Sequence, residues 1–369
     1  MLLAVVLLLL IFGSILFHYL SPWYLTPLAS NWSAIDDTLN ITFWVTGFVF
    51  VAVNLFLAYC VYKFRYKKGN LAHYEPENKK LEVWLIGLTS LGIAAMLTPG
   101  LYVWADFINP PEDASIVEVV GKQWQWSYRY PGEDGKLGTA DTRHTTAANP
   151  FGVNPDDPNG QDDVLVTAGG LHIPINQPLK VLLRSQDVLH DFAVAQFRVK
   201  MDMVPGHVTS LWFTPTVLGK YDVLCEELCG VGHYKMRSFV VVQTQEDFNA
   251  WLQTMPTYAQ LAAAEDGAAP TEGISLIEQG RLLANARGCV ACHSIDGASG
   301  IGPTWKGVFG KTEALADGST VVVDADYFKE SISNPNAKIV EGYAPMMPAS
   351  SFTEAEMDAL IAYVRDGLE

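Results

Sequence analysis

The run Cys225-Glu226-Glu227-Leu228-Cys229-Gly230-Val231-Gly232-His233-Tyr234-Lys235-Met236 is the most specific signal in this 369-residue chain. It sets two thiols, an imidazole and a thioether on one short loop, directly after the β-prone run Gly219–Leu224. Soft sulfur with imidazole is a copper environment, and a single Cys with His and Met suits a mononuclear electron-transfer copper. A second Cys four residues on lets two sulfurs bridge two copper ions. One electron shared over both metals keeps the geometry change small on redox. Such a pair needs a second imidazole, and His190 in Asp187-Val188-Leu189-His190-Asp191-Phe192 is the candidate. The alternatives are a disulfide, which an oxidising compartment permits, and a zinc site. Neither requires Met236 or the upstream His190.

Outward from this loop, short β-prone runs recur at Ile116–Val120, Gln123–Tyr130, Val164–Thr167, Leu179–Arg184, His207–Phe213, Gly219–Leu224 and Ser238–Val242, bounded by Gly, Pro, Asn and Asp. Strands at that spacing indicate a β-sandwich or barrel. Residues 131–163, rich in Gly, Asp, Asn and Pro, read as a long surface excursion, and the Ala-, Pro- and Gly-rich residues 256–273 as a linker. Beyond the linker the pattern is helical. Leu276, Ile277, Leu282 and Leu283 form an amphipathic stretch. Thr353 and Glu356 have capping-box spacing ahead of Met357, Leu360, Ile361 and Val364 on one face.

Cys289-Val290-Ala291-Cys292-His293 follows the first of these helices. Two thiols at i and i+3 add to the two vinyl groups of a haem, and the adjacent His lies beneath the iron, so this run reads as c-type haem attachment. A thioredoxin-like pair needs a βαβ context, and a zinc site needs further ligands; this segment has neither. The iron needs a sixth ligand, and a Met thioether raises the potential, as suits electron transfer. Gly342-Tyr343-Ala344-Pro345-Met346-Met347-Pro348 offers two, whereas Met357 lies on the apolar face of the last helix and reads as core.

Three apolar stretches precede all of this, at about 2–17, 41–62 and 83–105. The second and third are long enough to cross a hydrocarbon core of about 30 Å. The first is shorter, but no Lys or Arg precedes Lys63 and no convincing cleavage site follows, which favours a retained helix over a secretory signal. Lys63, Arg65, Lys67, Lys68, Lys79 and Lys80 crowd the loop between the second and third stretches. The positive-inside rule puts that loop in the cytoplasm and everything after residue 105 outside. Unpaired Cys60 near a span end reads as structural. A net charge of −16 excludes a nucleic-acid partner on electrostatic grounds.

Residues 41–250, with their two-helix anchor, strands and copper loop, resemble subunit II of the haem–copper cytochrome c oxidases. Residues 274–367 resemble class I cytochromes c, in which the ligand Met usually precedes a Pro; this favours Met347 over Met346. Gly302-Pro303 is similar to the loop that packs near the ligand His in that family. The fusion resembles the caa3 type. The resemblance implies a multidomain chain: transmembrane helices over 1–110, a Greek-key cupredoxin β-sandwich over 111–255, the linker 256–273, and an all-α class I cytochrome c domain over 274–369. It further implies a binuclear CuA centre with Cys225 and Cys229 bridging and His190 and His233 each on one copper. Met236 and the carbonyl of Glu227 are then the weak outer ligands. The Glu227 carboxylate matches a residue that helps bind Mg²⁺ against subunit I. Cys289, Cys292, His293 and Met347 hold one haem c.

Two more positions follow from the same resemblance. Trp124, in Gln123-Trp124-Gln125-Trp126-Ser127-Tyr128, matches the Trp through which cytochrome c delivers electrons, while Trp126 reads as core. Glu82 matches the Glu at the mouth of a proton channel shared with subunit I, although Glu82-Val83-Trp84 is one residue shorter than the usual Glu-x-x-Trp. Glu226 stands where many members have Ser, and His207 where animal relatives have Arg. His18, His73, His144, His172 and His207 read as surface or interfacial. The implied activity is an electron relay in a bacterial inner membrane, with the copper and haem domains on the periplasmic side. The expected partners are subunit I, subunit III and a basic cytochrome c, attracted by residues 271–369, where acidic residues outnumber basic ones two to one. The rival readings are a CuA-bearing subunit of a nitric oxide reductase and a stand-alone anchored carrier. Eight His in total are too few for the copper cluster of a nitrous oxide reductase.

Overall fold

The structure, a computed structural model, describes residues 2–21, 26–69, 71, 75–146, 149–167, 169–265, 275–298 and 300–368. They divide into two compact units: residues 1–110 with 196–198, and residues 111–195 with 199–369.

The first unit holds three apolar helices, α1 (Leu2–Leu20), α2 (Ser33–Lys63) and α3 (Lys79–Ile108). Ala4, Leu7 and Ile11 recur at helical spacing as the buried stripe of α1, and Ala4 and Leu7 pack with Ala58 and Val61 of α2. The helices α2 and α3 run 31 and 30 residues, longer than the apolar stretches 41–62 and 83–105 that mark them. At 1.5 Å per residue each reaches about 45 Å, beyond a hydrocarbon core of about 30 Å. Their extra turns are the polar ends, with Asp36 in the first turn of α2 and Glu82 in that of α3. The Asn78 side chain caps α3 by accepting from the Leu81 N–H. Segment 196–198 belongs with this unit through specific bonds. Arg198 donates to both oxygens of Asp36 at 2.7 and 2.9 Å, and the Ser30 hydroxyl donates to the Phe197 carbonyl at 2.8 Å.

The second unit begins with β1 (Ser115–Lys122), β2 (Gln125–Tyr130), β3 (Val164–Val166), β4 (Leu171–Pro174), β5 (Leu179–Ser185), β6 (His190–Val194), β7 (Val199–Met203), β8 (Thr209–Phe213), β9 (Gly219–Cys225) and β10 (Arg237–Gln243). They form two five-stranded sheets, in the orders β3-β2-β1-β5-β8 and β4-β10-β9-β6-β7. Two pairs, β1 with β5 and β10 with β4, are parallel. Between the sheets lie Val117, Val119, Tyr128, Leu183, Phe192, Leu211, Phe213, Val223 and Val240, all essentially without solvent contact. The Tyr128 hydroxyl crosses from β2 to donate to Ser238 of β10 at 2.7 Å. Strands β4, β6 and β7 are absent from the sequence expectation; β6 opens on the charged pair His190-Asp191, which is nonetheless fully buried.

The excursion 131–163 is tied down by buried charge as well as by the apolar packing of Phe151 and Val153. Glu118 lies directly opposite Arg129 in the β1–β2 register and accepts from its Nε at 2.6 Å. Arg129 also donates to Asp163 at 2.7 Å and to the Gly138 carbonyl at 2.8 Å. Arg184 donates to Glu118 and, at 2.8 Å, to the Phe151 carbonyl. Each arginine therefore joins a strand to the excursion.

After the sandwich come α4 (Gln245–Leu252) and α5 (Tyr258–Glu265). Tyr258 is buried with Val120, Phe151, Val153 and Leu165, and its N–H donates to the Asp163 carbonyl at 2.8 Å. The first part of the expected linker is thus a helix packed on the sandwich, and residues 266–273 lie outside the described ones. The last region comprises α6 (Leu276–Ala286), α7 (Cys289–Cys292), the hairpin β11 (Thr312–Ala314) and β12 (Thr320–Val322), α8 (Ala325–Ser333) and α9 (Glu354–Asp366). The helices α6 and α9 cross at Gly280, where a Cβ would stand 1.9 Å from the Ala359 carbonyl, so only glycine permits the approach. Trp305, Phe328, Met357, Leu360, Ile361 and Val364 form the core there. The Thr353–Glu356 capping box opens α9 as its spacing indicates.

Replacing Arg129 by Met should cost about 3–5 kcal/mol of unfolding free energy, because it leaves the buried Asp163 carboxylate without its cation and Glu118 with Arg184 alone. Denaturant unfolding of the chain, followed by sandwich tryptophan fluorescence, measures this, and a loss below about 1 kcal/mol, the scale of a surface ion pair, would contradict the role given to the network.

Candidate functional site

The copper loop connects β9 to β10, and its partner histidine arrives from β6. Strands β6 and β9 are antiparallel with Phe192 opposite Cys225. His190 therefore emerges two residues further along β6, at the end of the strand where the loop begins. Its Nδ1 stands 3.9 Å from the Cys225 sulfur. The two cysteine sulfurs are 3.7 Å apart, Cys229 is 3.6 Å from His233 Nδ1, and 3.7 Å from the Met236 sulfur. The Glu227 carbonyl lies 3.2 Å from the Cys225 sulfur. Among the described residues, His190, Cys225 and Cys229 form a group able to hold a metal ion, all three buried. Every donor selected from the sequence is in this cluster. The set is soft and sulfur-rich, two sulfurs flanked by two imidazoles, and it fits copper.

Several residues prepare these donors. Asp187 takes the Nε2 side of His190 at 2.8 Å, which leaves Nδ1 facing sulfur. The same carboxylate accepts the Gln123 N–H at 2.7 Å. Burial raises the thiol pKa values, but for Cys225 the bonds to His190, to the Asp191 and Glu227 backbone and to His233 prevail and lower it to about 6. Burial and the neighbouring Cys225 charge push Cys229 upward. The metal-free pair thus carries one thiolate, and metal binding must release the remaining proton.

Trp124 lies across the loop. Its indole N–H donates to the Cys229 carbonyl at 3.1 Å, beside the Gln123 amide, which donates to the same oxygen at 2.8 Å. A Cβ at Gly232 would stand 2.3 Å from the Trp124 ring, and one at Gly230 3.2 Å from it. Both glycines are needed for the ring to lie flat on the loop. Trp126, by contrast, is buried against Phe192 in an edge contact with centroids 5.8 Å apart. The roles of Asp187, Gln123, Gly230 and Gly232 were not drawn from the sequence. An acid three residues before a ligand His is the one cue it offers for Asp187.

In the helical region, Cys289 and Cys292 occupy the single turn α7, and His293 directly follows it. His293 Nδ1 is 2.8 Å from the Pro303 carbonyl, an arrangement that frees Nε2 for an axial position. The Trp305 ring stacks on the imidazole at 5.1 Å, and a Cβ at Gly302 would crowd the imidazole at 2.8 Å. Burial lowers the His293 pKa and keeps the ring neutral, as a ligand requires. Met347 packs against the core alongside Cys289 and Val290, while Met346 is exposed. These residues fit a covalently attached haem.

The other expected positions differ in their surroundings. Glu82 is exposed in the first turn of α3, Glu227 is half-buried, and His18, His144 and His207 are not buried. His172 departs from the surface expectation: it is half-buried and stacks on Trp251 at 4.0 Å, beneath α4. His73 lies outside the described residues.

A cupredoxin-like sandwich with converging thiols, imidazoles and a thioether, followed by a haem-attachment domain, defines a copper- and haem-binding electron-transfer protein. Residues 115–244 match the family "Cytochrome C oxidase subunit II, periplasmic domain", and residues 277–367 match "Cytochrome c". The chain is similar to the alternative cytochrome c oxidase subunit 2 of Bradyrhizobium diazoefficiens, with 59% identity over 70% of this chain and 94% of that one. It is also similar to cytochrome c oxidase subunit 2 of Alkalihalophilus pseudofirmus, with 27% identity over 90% of this chain and 86% of the other. A solved periplasmic domain of subunit II of the Bradyrhizobium japonicum oxidase aligns with 28% identity and a TM-score of 0.30, covering 40% of this chain and 96% of that one. The chain belongs to the cytochrome c oxidase subunit II family, and its fused cytochrome c domain fits the caa3 type.

Asp187→Asn should weaken copper binding by roughly 10–100-fold, the usual effect of removing a group that orients a ligand imidazole. Chelator competition on the purified chain measures it; an unchanged affinity would show that Asp187 does not hold His190 for the metal.

Proposed function

We propose that this chain is the electron-input subunit of a membrane oxidase, passing electrons from an external donor through haem c and then CuA to subunit I. The observation that carries the proposal is that one compact unit holds two separate sets of donors suited to one-electron cofactors. One is the five-residue donor cluster with the Glu227 carbonyl, and the other is the Cys289–His293 attachment turn. Bound copper and haem supply the redox chemistry. The protein groups supply position.

In this proposal Cys225, Cys229, His190 and His233 would hold the two coppers, with Met236 and the Glu227 carbonyl completing the donor set. Asp187 orients His190. Trp124, bonded to the Cys229 carbonyl, is the group through which electrons reach the copper loop. Cys289 and Cys292 would attach the haem, and His293 and Met347 would be the residues that ligate its iron. The core packing of Met347 and the exposure of Met346 favour that choice. The Glu227 carboxylate would help hold Mg²⁺ against subunit I, and Glu82 would receive protons on the cytoplasmic side.

The apolar helices α1–α3, each long and apolar enough to cross a membrane, support a multi-pass position in a bacterial inner membrane, with both redox domains periplasmic. The exposed apolar faces of α2 and α3 suit packing against subunits I and III. Oxygen reduction and most proton pumping then belong to the partner chains. The acidic haem domain suits a basic cytochrome donor through long-range attraction.

The purified complex should consume O2 with reduced cytochrome c as donor. Met347→Ala should shift the haem c potential strongly and slow turnover, with Met346→Ala close to wild type. Turnover of NO without O2 uptake would move the chain to the nitric oxide reductase reading, and a potential shift confined to Met346→Ala would reassign the axial ligand.

A further inference from the structure

The haem-attachment turn and the copper loop lie in the same compact unit, and two glycines of the haem domain stand directly against side chains of the copper domain. A Cβ at Gly300 would be 3.1 Å from Lys235 Nζ and 2.7 Å from the Cys292 carbonyl. One at Gly288 would be 3.2 Å from the Gln125 side-chain oxygen. These glycines bracket the Cys289–Cys292 turn, which carries the haem thioethers. Gln125 directly follows Trp124. The N–H of Lys235 donates to the carbonyl of Gly232, the residue on which the Trp124 ring lies. The two contacts therefore flank Trp124.

Lys235 is half-buried, between the exposed Tyr234 and the fully buried Met236. Its charge also acts electrostatically on Cys292. A cation on the copper loop faces a domain in which acidic residues outnumber basic ones two to one.

We propose that Lys235 and Gln125 form an internal seat for the haem-attachment turn, with Lys235 the positioning residue that holds Cys292 and Gly300 beside the Trp124 face. This rests on the relay reading and deepens it. Trp124 becomes an internal station between the two redox sites, and the external donor meets the haem domain on another face. A lysine suits this place because its apolar stem can lie along the loop while its charged end reaches the acidic haem domain.

The test uses the full chain, loaded with copper and haem, in detergent, as wild type, Lys235→Glu and Lys235→Arg. Hydrogen exchange of the 286–302 amides should rise several-fold in Lys235→Glu and stay near wild type in Lys235→Arg, while exchange in the β11–β12 hairpin is unchanged. After photoreduction of haem c, transfer to copper should slow several-fold in Lys235→Glu, with the copper and haem absorption bands preserved, and recover in Lys235→Arg. If the copper band is lost in Lys235→Glu, Lys235→Gln carries the same two measurements. Unchanged exchange together with an unchanged transfer rate would overturn the seat. A wild-type chain with no haem-to-copper transfer would instead remove the relay, leaving the exchange data to decide the seat alone.

Discussion

The register between β6 and β9 is the constraint from which the redox site follows. With Phe192 paired to Cys225, His190 and Asp187 fall at the mouth of the loop that carries the remaining donors. A slip of one residue would turn His190 to the opposite face of the sheet. Phe192 and Val194, fully buried on the inner face, oppose that slip because it would put Asp191 and Ala193 in their places in the core. The core that stabilises the sandwich thus also sets the spacing of the copper donors, before any metal arrives.

Within that frame, the loop is shaped by close approaches that only glycine allows. Gly230 and Gly232 admit the Trp124 ring, and the ring and Gln123 together hold the Cys229 carbonyl. The haem domain uses the same device twice: Gly280 lets α6 and α9 cross, and Gly302 leaves room for the His293 imidazole. The glycines and the Pro303 carbonyl fix where the imidazole points, and hence which nitrogen remains for iron. Asp191 stands apart. It is fully buried next to His190 and opposite Asp202, with Lys200 Nζ 3.9 Å away, and burial together with the Asp202 carboxyl pushes its pKa up to about 7.

Much of this was legible from residue order because local chemistry carried it. The copper loop and the attachment turn put their ligands within a dozen residues, the capping box at Thr353 is a local rule, and seven of the ten sandwich strands show as short β-prone runs between turn residues. What escaped depends on tertiary context. Strand β6 begins with the polar pair His190 and Asp191, and β7 is five residues long with two charges, Lys200 and Asp202, among them. The helix α5 lies in a run whose Ala and Pro content suggests a linker, yet Tyr258 supplies enough buried surface to dock it on the sandwich. The arginine–carboxylate network joins residues as far apart as Glu118 and Arg184, a separation at which sequence spacing carries no signal. His172 is another such case, since the ring it stacks on comes from α4.

The central claim is that one chain carries a two-copper site and a haem c as successive electron stations. Metal analysis of the purified chain, combined with its near-infrared spectrum, tests it most directly. The account predicts two coppers for each haem and a near-infrared band from mixed-valence copper that disappears on reduction. One zinc or one copper per haem, without that band, would contradict it.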